Sequence, residues 1–203
     1  DLRDLFIGSE GTLGIITAAT MKLYPRPAAT LTAWAAVPSL AAALELLGLA
    51  QRHLGAGLTG FEVMGQFALG LVDRHLPQLR VPLWRDTPWC VLLENADQES
   101  QAHARARFEP LLEAALDAGC VSDAVVAESI AQARALWHIR ESIPLAQAEE
   151  GLNIKHDIAV PVSRVPDFVA ETEALLARQI PGVRLVVFGH LGDGNLHFNV
   201  QAP

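Results

Sequence analysis

The sequence predicts an α+β fold, a largely antiparallel sheet covered by helices, and three observations carry that expectation. From Ala28 onward the apolar period switches repeatedly between two, which suits strands, and 3.6, which suits helices. The strand candidates at 183–190 and 195–200 are too close in sequence to be parallel neighbours, which need a crossover of a dozen or more residues. Between them stands Gly192-Asp193-Gly194, and Asp-Gly flanked by apolar runs is a strong signal for a tight hairpin.

The elements follow in order. Thr30–Val37 reads as a strand through the alternation of Leu31, Ala33 and Ala35, and Ser39–His53 as a helix. Leu58–Val63 is strand-like, and a short helix runs through Phe67, Leu71 and Leu76. Trp89–Glu94 is a strand, Ser100–Ala118 a helix and Val121–Ala127 another strand. Ser129–Glu149 is helical with a break or kink at Pro144, because proline removes an N–H and crowds the preceding turn. Leu152–Val160 reads as one strand and Arg164–Arg178 as a helix before the closing hairpin. Ahead of all these, Asp1–Pro27 is a glycine-containing segment that leaves through the stiff Pro25-Arg26-Pro27. Two units are therefore expected, 1–27 and 28–203.

Composition narrows the function classes. A chain of 203 residues can bury a core, and 51% hydrophobic against 19% charged residues argues against disorder. A net charge of -8 with no lysine or arginine cluster disfavours duplex nucleic acid, whose binding depends on neutralising phosphates. Cys90 and Cys120 cannot build a disulfide framework, which fits a reducing, cytoplasmic compartment. No basic start precedes an apolar run, so no signal peptide is expected. The weakly charged stretch Ala28–Ala50 is interrupted by Pro38-Ser39 and reads as strand then helix, so no membrane span is expected.

The richest chemistry lies in Val186–Val200. With the turn placed at Asp193-Gly194, counting outward sets Gly192 opposite Asn195 and His190 opposite His197, and Asn199 joins the same face. Two opposed imidazoles can share one metal ion, at bonds of about 2.0–2.1 Å to zinc. They can equally be half-buried sheet histidines with no ligand, and spacing alone does not separate the two. Two ligands are too few for a closed site, so a third, such as a carboxylate, would come from elsewhere.

Arg140 lies at the edge of the apolar face formed by Leu136, Ile139 and Ile143. Downstream, Asn153, Lys155 and Asp157 alternate with Ile154, His156 and Ile158, and His156 is expected on the core face. Arg140 and Lys155 could converge on a carboxylate, one through its planar fork and the other as a point charge. From residue types alone, Arg140 paired with a surface Glu and Lys155 with Asp157 is the commoner arrangement. At the start, Ile7–Thr17 holds Gly8, Gly11 and Gly14, whose backbone can approach a ligand closely, yet the run fits neither the dinucleotide nor the Walker fingerprint.

Four stretches together, in this order, resemble the flavin-linked oxidases of the vanillyl-alcohol oxidase superfamily. They are Gly8-Ser9-Glu10-Gly11-Thr12-Leu13-Gly14-Ile15-Ile16-Thr17, Phe61-Glu62-Val63-Met64, Trp137-His138-Ile139-Arg140-Glu141 and Gly189-His190-Leu191-Gly192-Asp193-Gly194-Asn195-Leu196-His197. The branch they resemble contains D-lactate dehydrogenase, the glycolate oxidase flavin subunit and D-2-hydroxyglutarate dehydrogenase.

The resemblance implies a ferredoxin-like substrate (cap) domain at 28–203, truncated at its C-terminal end, and a remnant of the FAD-binding domain at 1–27. It implies that Gly8, Ser9, Glu10, Gly11, Thr12, Gly14 and Ile16 contact FAD. Arg140 and Lys155 would hold the carboxylate of a small 2-hydroxyacid, and Asn199 would reach the same substrate. His190 and His197 would bind a divalent metal, with zinc the first candidate. The main flavin lobe is expected before Asp1, and a Glu-His-Gly motif bearing a further metal ligand and the proton acceptor beyond Pro203. No catalytic base is thus expected within the chain, and the chain alone should not complete a cycle. In the D-2-hydroxyglutarate branch a Thr stands where this chain has Pro144, which removes one polar contact and leaves the substrate open among lactate, glycolate and 2-hydroxyglutarate types. The electron acceptor is unspecified and self-association is left open. Two rival expectations are a non-catalytic α+β module that binds a small anion or partner, and a flavin enzyme of the same fold that needs no metal.

Overall fold

Strand-forming and helix-forming segments alternate along the chain, and nearly all of the packed structure lies after residue 28. The computed structural model describes residues 1–203. Its elements are α1 (Leu2–Phe6), β1 (Ala29–Val37), α2 (Leu40–Leu54), β2 (Leu58–Gly65), α3 (Gln66–His75), β3 (Trp89–Asp97), α4 (Gln101–Asp117) and β4 (Asp123–Val126). They continue with α5 (Ile130–Glu141), α6 (Ile143–Glu150), β5 (Asn153–Ile154), β6 (Asp157–Ala159), α7 (Val165–Gln179), β7 (Arg184–His190) and β8 (Asn195–Gln201). The strands form one sheet in the order β4-β1-β3-β2-β7-β8-β5, with β6 also paired to β8, and every pairing is antiparallel. This is the α+β architecture that the short 183–200 connection predicts.

Strand parity divides the core in two. In β1 the odd-numbered Leu31, Ala33, Ala35 and Val37 enter the larger cluster, which α2, α4 and α7 cover. Trp34 points the other way, into a smaller cluster with Met64, Leu92, Val186 and Phe188 under α3, α5 and α6. Both faces of the central strands are therefore buried, so β1 is apolar almost throughout while still alternating in purpose. The helices start where local chemistry says they should. Ser39, Ser100 and Ser129 each accept a hydrogen bond from the backbone N–H three residues on, satisfying an otherwise orphaned donor. Pro144 falls in the first turn of α6, where a missing N–H is harmless, so the expected kink is a full break between α5 and α6.

One expected strand is interrupted. Leu152–Val160 divides into β5 and β6 with Lys155 and His156 between them, where the ladder keeps only the Phe198 N–H donated to the His156 carbonyl at 2.9 Å. The register against β8 is nevertheless unbroken: Ile154 opposes Val200 and Asp157 opposes His197. The gap opens because the Asn199 side chain, rather than a backbone carbonyl, takes the His156 N–H at 3.1 Å. His156 is consequently exposed at the sheet edge, with Nδ1 3.1 Å from the Phe198 carbonyl, and not on the core face as its alternation suggested. Residues 1–27 contain no buried residue, and Ile15, Met21, Leu23 and Tyr24 are all exposed.

Candidate active site on the α5 face of the sheet

Pairing brings a row of polar side chains to the sheet face that α5 covers. Glu62 of β2 stands opposite His190 of β7, Phe188 opposite His197 of β8, and His197 opposite Asp157 of β6. Directly opposed residues share a face, and residues two apart on a strand do too, so Glu62, His190, His197 and Asn199 all project to the same side.

The hairpin differs from the expected one. Its loop comprises Leu191–Gly194, a single 3-10 turn closed by Gly194 at φ 77°, and the register pairs His190 with Asn195. His190 and His197 are therefore diagonal neighbours, not direct partners. Two features select the longer loop. The Asp193 carboxylate accepts the Asn195 N–H at 3.0 Å, and Gly194 packs so close to the Val160 carbonyl that a Cβ there would overlap it. Gly189, at φ 152°, gives the strand room beside the Asn195 carbonyl. A slip of two residues preserves parity, so the shared face survives: the two imidazole centroids lie 6.1 Å apart at 67°.

α5 supplies the cation. Trp137 and Arg140, one turn apart, both reach carboxylates on the sheet. The indole N–H donates to Glu94 Oε2 at 2.8 Å, and Arg140 donates from Nε to Glu62 Oε2 at 2.8 Å, with Nη2 also 2.8 Å from that oxygen as an ion-pair contact. The guanidinium carbon lies 4.9 Å from the Phe188 ring centre. Arg140 and Glu62 are both buried. The Arg140–surface Glu pairing that residue types favoured is thus replaced by a pairing in the interior. The side edge of the guanidinium is used, and the end edge carrying Nη1 has no partner. The second Glu62 oxygen, Oε1, lies 2.5 Å from His190 Nδ1.

The histidines differ in environment. The His190 side chain is 49% exposed, whereas His197 is 32% exposed. The His197 pKa is pushed below the ordinary histidine value, first by burial. Asp157, with its Oδ1 3.6 Å from Nδ1, opposes that shift, while Arg140 and His190 reinforce it. A neutral imidazole has a free lone pair, which is the form that ligates metals. His190 and His197 are ligand-type side chains on one face, with ring centroids 6.1 Å apart. No cluster of three His, Cys, Asp or Glu side chains surrounds them, so the other positions of any bound ion would fall to water, substrate or another segment.

The remaining expected site residues are spread more widely. Lys155 is exposed in the gap between β5 and β6, without an ion pair to Asp157 or any other group, at the register level of Asn199. Asn199 is itself buried: Nδ2 donates to Gln147 Oε1 at 2.8 Å while Oδ1 accepts the His156 N–H. It ties the Lys155–His156 segment to β8. Gly8, Ser9, Glu10, Gly11, Thr12, Gly14 and Ile16 lie apart from this cluster. The loop is solvent-facing, with Ser9 and Thr12 hydroxyls bonded to nearby carbonyls. Positive φ at Gly8, Glu10 and Gly11 turns the backbone tightly, a geometry whose amides suit an anionic group such as a pyrophosphate.

Glu62 is the participant that residue-by-residue reasoning left without a role. One signal pointed to it. In Phe61-Glu62-Val63-Met64 the carboxylate shares a face with Met64, and a charge on a core face requires a partner.

Residues 26–203 match the family described as FAD linked oxidases, C-terminal domain. The chain is 40% identical over 205 residues to D-2-hydroxyglutarate dehydrogenase of Xanthomonas citri pv. viticola, with all of this chain and 42% of that protein covered. It is 37% identical over 202 residues to the mitochondrial D-2-hydroxyglutarate dehydrogenase of Rattus norvegicus, with all of this chain and 37% of that protein covered. The chain thus spans about two-fifths of the length of these relatives. A solved structure of p-cresol methylhydroxylase with substrate bound shares the fold, at TM-score 0.63 and 8% identity over 88% of this chain and 39% of that one. The match over 26–203 and the common sheet-and-helix architecture establish that the chain belongs to the FAD-linked oxidases, through their C-terminal domain.

Proposed function

We propose that the full-length protein is an FAD-dependent oxidoreductase that converts a D-2-hydroxyacid of lactate, glycolate or 2-hydroxyglutarate type to the 2-oxoacid. The observation that carries this reading is Arg140, a buried cation beside two imidazoles whose end edge is free to take a carboxylate. A carboxylate docked there gains two parallel N–H···O bonds, the strongest and most directional way to hold it. Lys155 adds a second positive charge from the sheet edge, and Asn199 holds that segment in place. Orientation by these groups sets the 2-hydroxyl toward the imidazoles, so the reacting carbon is positioned before any chemistry begins.

FAD, held in part by the Gly8–Ile16 loop, supplies the hydride acceptor, and a divalent ion on His190 and His197 supplies polarisation of the 2-hydroxyl. Residues 1–27 belong to the flavin-binding unit and 28–203 to the substrate-binding unit in this reading.

Anaerobic flavin reduction in the full-length protein tests the assignment. D-2-hydroxyacids should bleach the flavin and their L-enantiomers should not, and Arg140→Met should raise KM by about 100-fold or more, since each of the two lost charge-assisted hydrogen bonds is worth about 1.5–3 kcal/mol. Failure of every hydroxyacid to bleach the flavin refutes it. Unchanged zinc content and turnover in both His190→Ala and His197→Ala would leave the metal-free form of the same chemistry.

A further inference from the structure

We infer that Glu62 is a positioning residue that sets both halves of this site at once, fixing the His190 tautomer and the exposed edge of Arg140. The inference rests on the hydroxyacid reading above and adds to it a residue that reaches neither substrate nor cofactor.

Glu62 is 4% exposed, packs beside Met64, Leu92 and Phe188 on the sheet face it shares with His190, and has Arg140 and His190 as its partners. Ionised, it only accepts hydrogen bonds. The contact from His190 Nδ1 to Oε1 therefore requires the proton on Nδ1. That leaves Nε2 of His190 unprotonated in the neutral ring, with its lone pair on the side of the imidazole away from the carboxylate. A carboxylate behind a histidine is the arrangement that orients a metal-binding imidazole and raises its basicity.

The other oxygen acts on Arg140. Nε donates to Oε2 and Nη2 lies 2.8 Å from the same oxygen, so the carboxylate occupies the side edge of the guanidinium, whose carbon sits 4.9 Å from the Phe188 ring centre. The side edge is thereby occupied and Nη1 left without a partner, and the buried cation stays neutralised before substrate arrives. One side chain on β2 thus ties α5 to β7, partners 78 and 128 residues away in the chain. It also sets the distance between the anion-binding and hydroxyl-binding groups, since neither can move without straining a bond to the same carboxyl.

Glu62→Gln separates these roles without changing size. An amide has one acceptor oxygen. The guanidinium, a permanent cation, claims it, which turns the NH2 toward His190 and forces that ring to accept at Nδ1 and carry its proton on Nε2. The experiment uses the full-length protein with its flavin, and zinc as the probe. Glu62→Gln should weaken zinc binding about 10–100-fold, in line with other outer-shell partners of metal-binding histidines. In a His190→Ala background the same change should have no further effect on zinc, because Glu62 acts through His190.

A second measurement does not depend on how the variant folds. In the zinc-free wild type, nitrogen-15 spectra of the His190 ring, assigned by its loss in His190→Ala, should show the Nδ1–H form. An Nε2–H form, wild-type zinc affinity in Glu62→Gln, or additive losses in the double variant each overturns the inference. If no hydroxyacid reduces the flavin, the functional reading falls while the zinc isotherms and ring spectra still decide the role of Glu62. If the wild type binds no zinc, the ring spectrum and the KM of Glu62→Gln for the acid decide it, and an unchanged KM overturns it.

Discussion

Arg140→Met probes the centre of the site through stability. In the native chain Arg140 is 9% exposed and Glu62 is 4% exposed, and two contacts of 2.8 Å join them. Methionine fills similar space but leaves the carboxylate with only His190. Breaking a buried pair by removing one partner costs about 3–5 kcal/mol, because the remaining charge stays desolvated. The carboxylate keeps its contact with His190, which sits at half exposure, so the lower end of that range, about 3 kcal/mol, is expected. For a chain of this size that lowers the unfolding midpoint by roughly 6–12 °C. Replacing both partners, as Glu62→Leu with Arg140→Met, removes the stranded charge and should return stability to within about 1 kcal/mol of the native chain. Urea unfolding of the four members of the cycle, followed by circular dichroism and tryptophan fluorescence, measures the coupling. A single-variant loss below about 1 kcal/mol, or a double variant as unstable as the sum of the singles, would show that the pair is not desolvated as described.

Away from the site, Glu150 receives Arg74, His75 and Arg184 and clamps α6 against α3 and β7. The hydrogen bond from His75, followed by those from Arg184 and Arg74, holds its pKa down to about 2. A depressed carboxylate contributes stability that is complete above its ordinary value of 4.5 and is lost as pH falls toward about 2. Glu150→Gln should therefore flatten the acid limb of the stability curve between those values, and an unchanged limb in that variant contradicts the clamp. At the hairpin, Gly189→Ala places a Cβ 2.7 Å from the Asn195 carbonyl at a φ of 152°. It should cost at least 1–3 kcal/mol and raise amide exchange across β7 and β8, whereas a native-like exchange pattern counts against the strained register.

Much of this protein was legible in the residues because the deciding rules act over short distances. Serine caps, Pro144 and the strand alternation of Leu31, Ala33 and Ala35 operate within one or two turns of chain, and they set where helices begin and which residues share a face. The antiparallel closing hairpin follows from its four-residue connection alone. Parity also placed His190, His197 and Asn199 on one side, and it withstood the wrong turn because a slip of two residues leaves every face unchanged.

The exact hairpin register was decided by tertiary packing, where close contact of Gly194 with Val160 and the Asp193 bond to Asn195 outweighed the two-residue turn preference of Asp-Gly. The interruption at Lys155 and His156 was likewise set by a side chain from the neighbouring strand. Above all, the joining of Glu62, Arg140 and His190 has no local signature. Their spacing along the chain is arbitrary until the sheet closes, and only then does removal of water make one carboxylate the necessary partner of both.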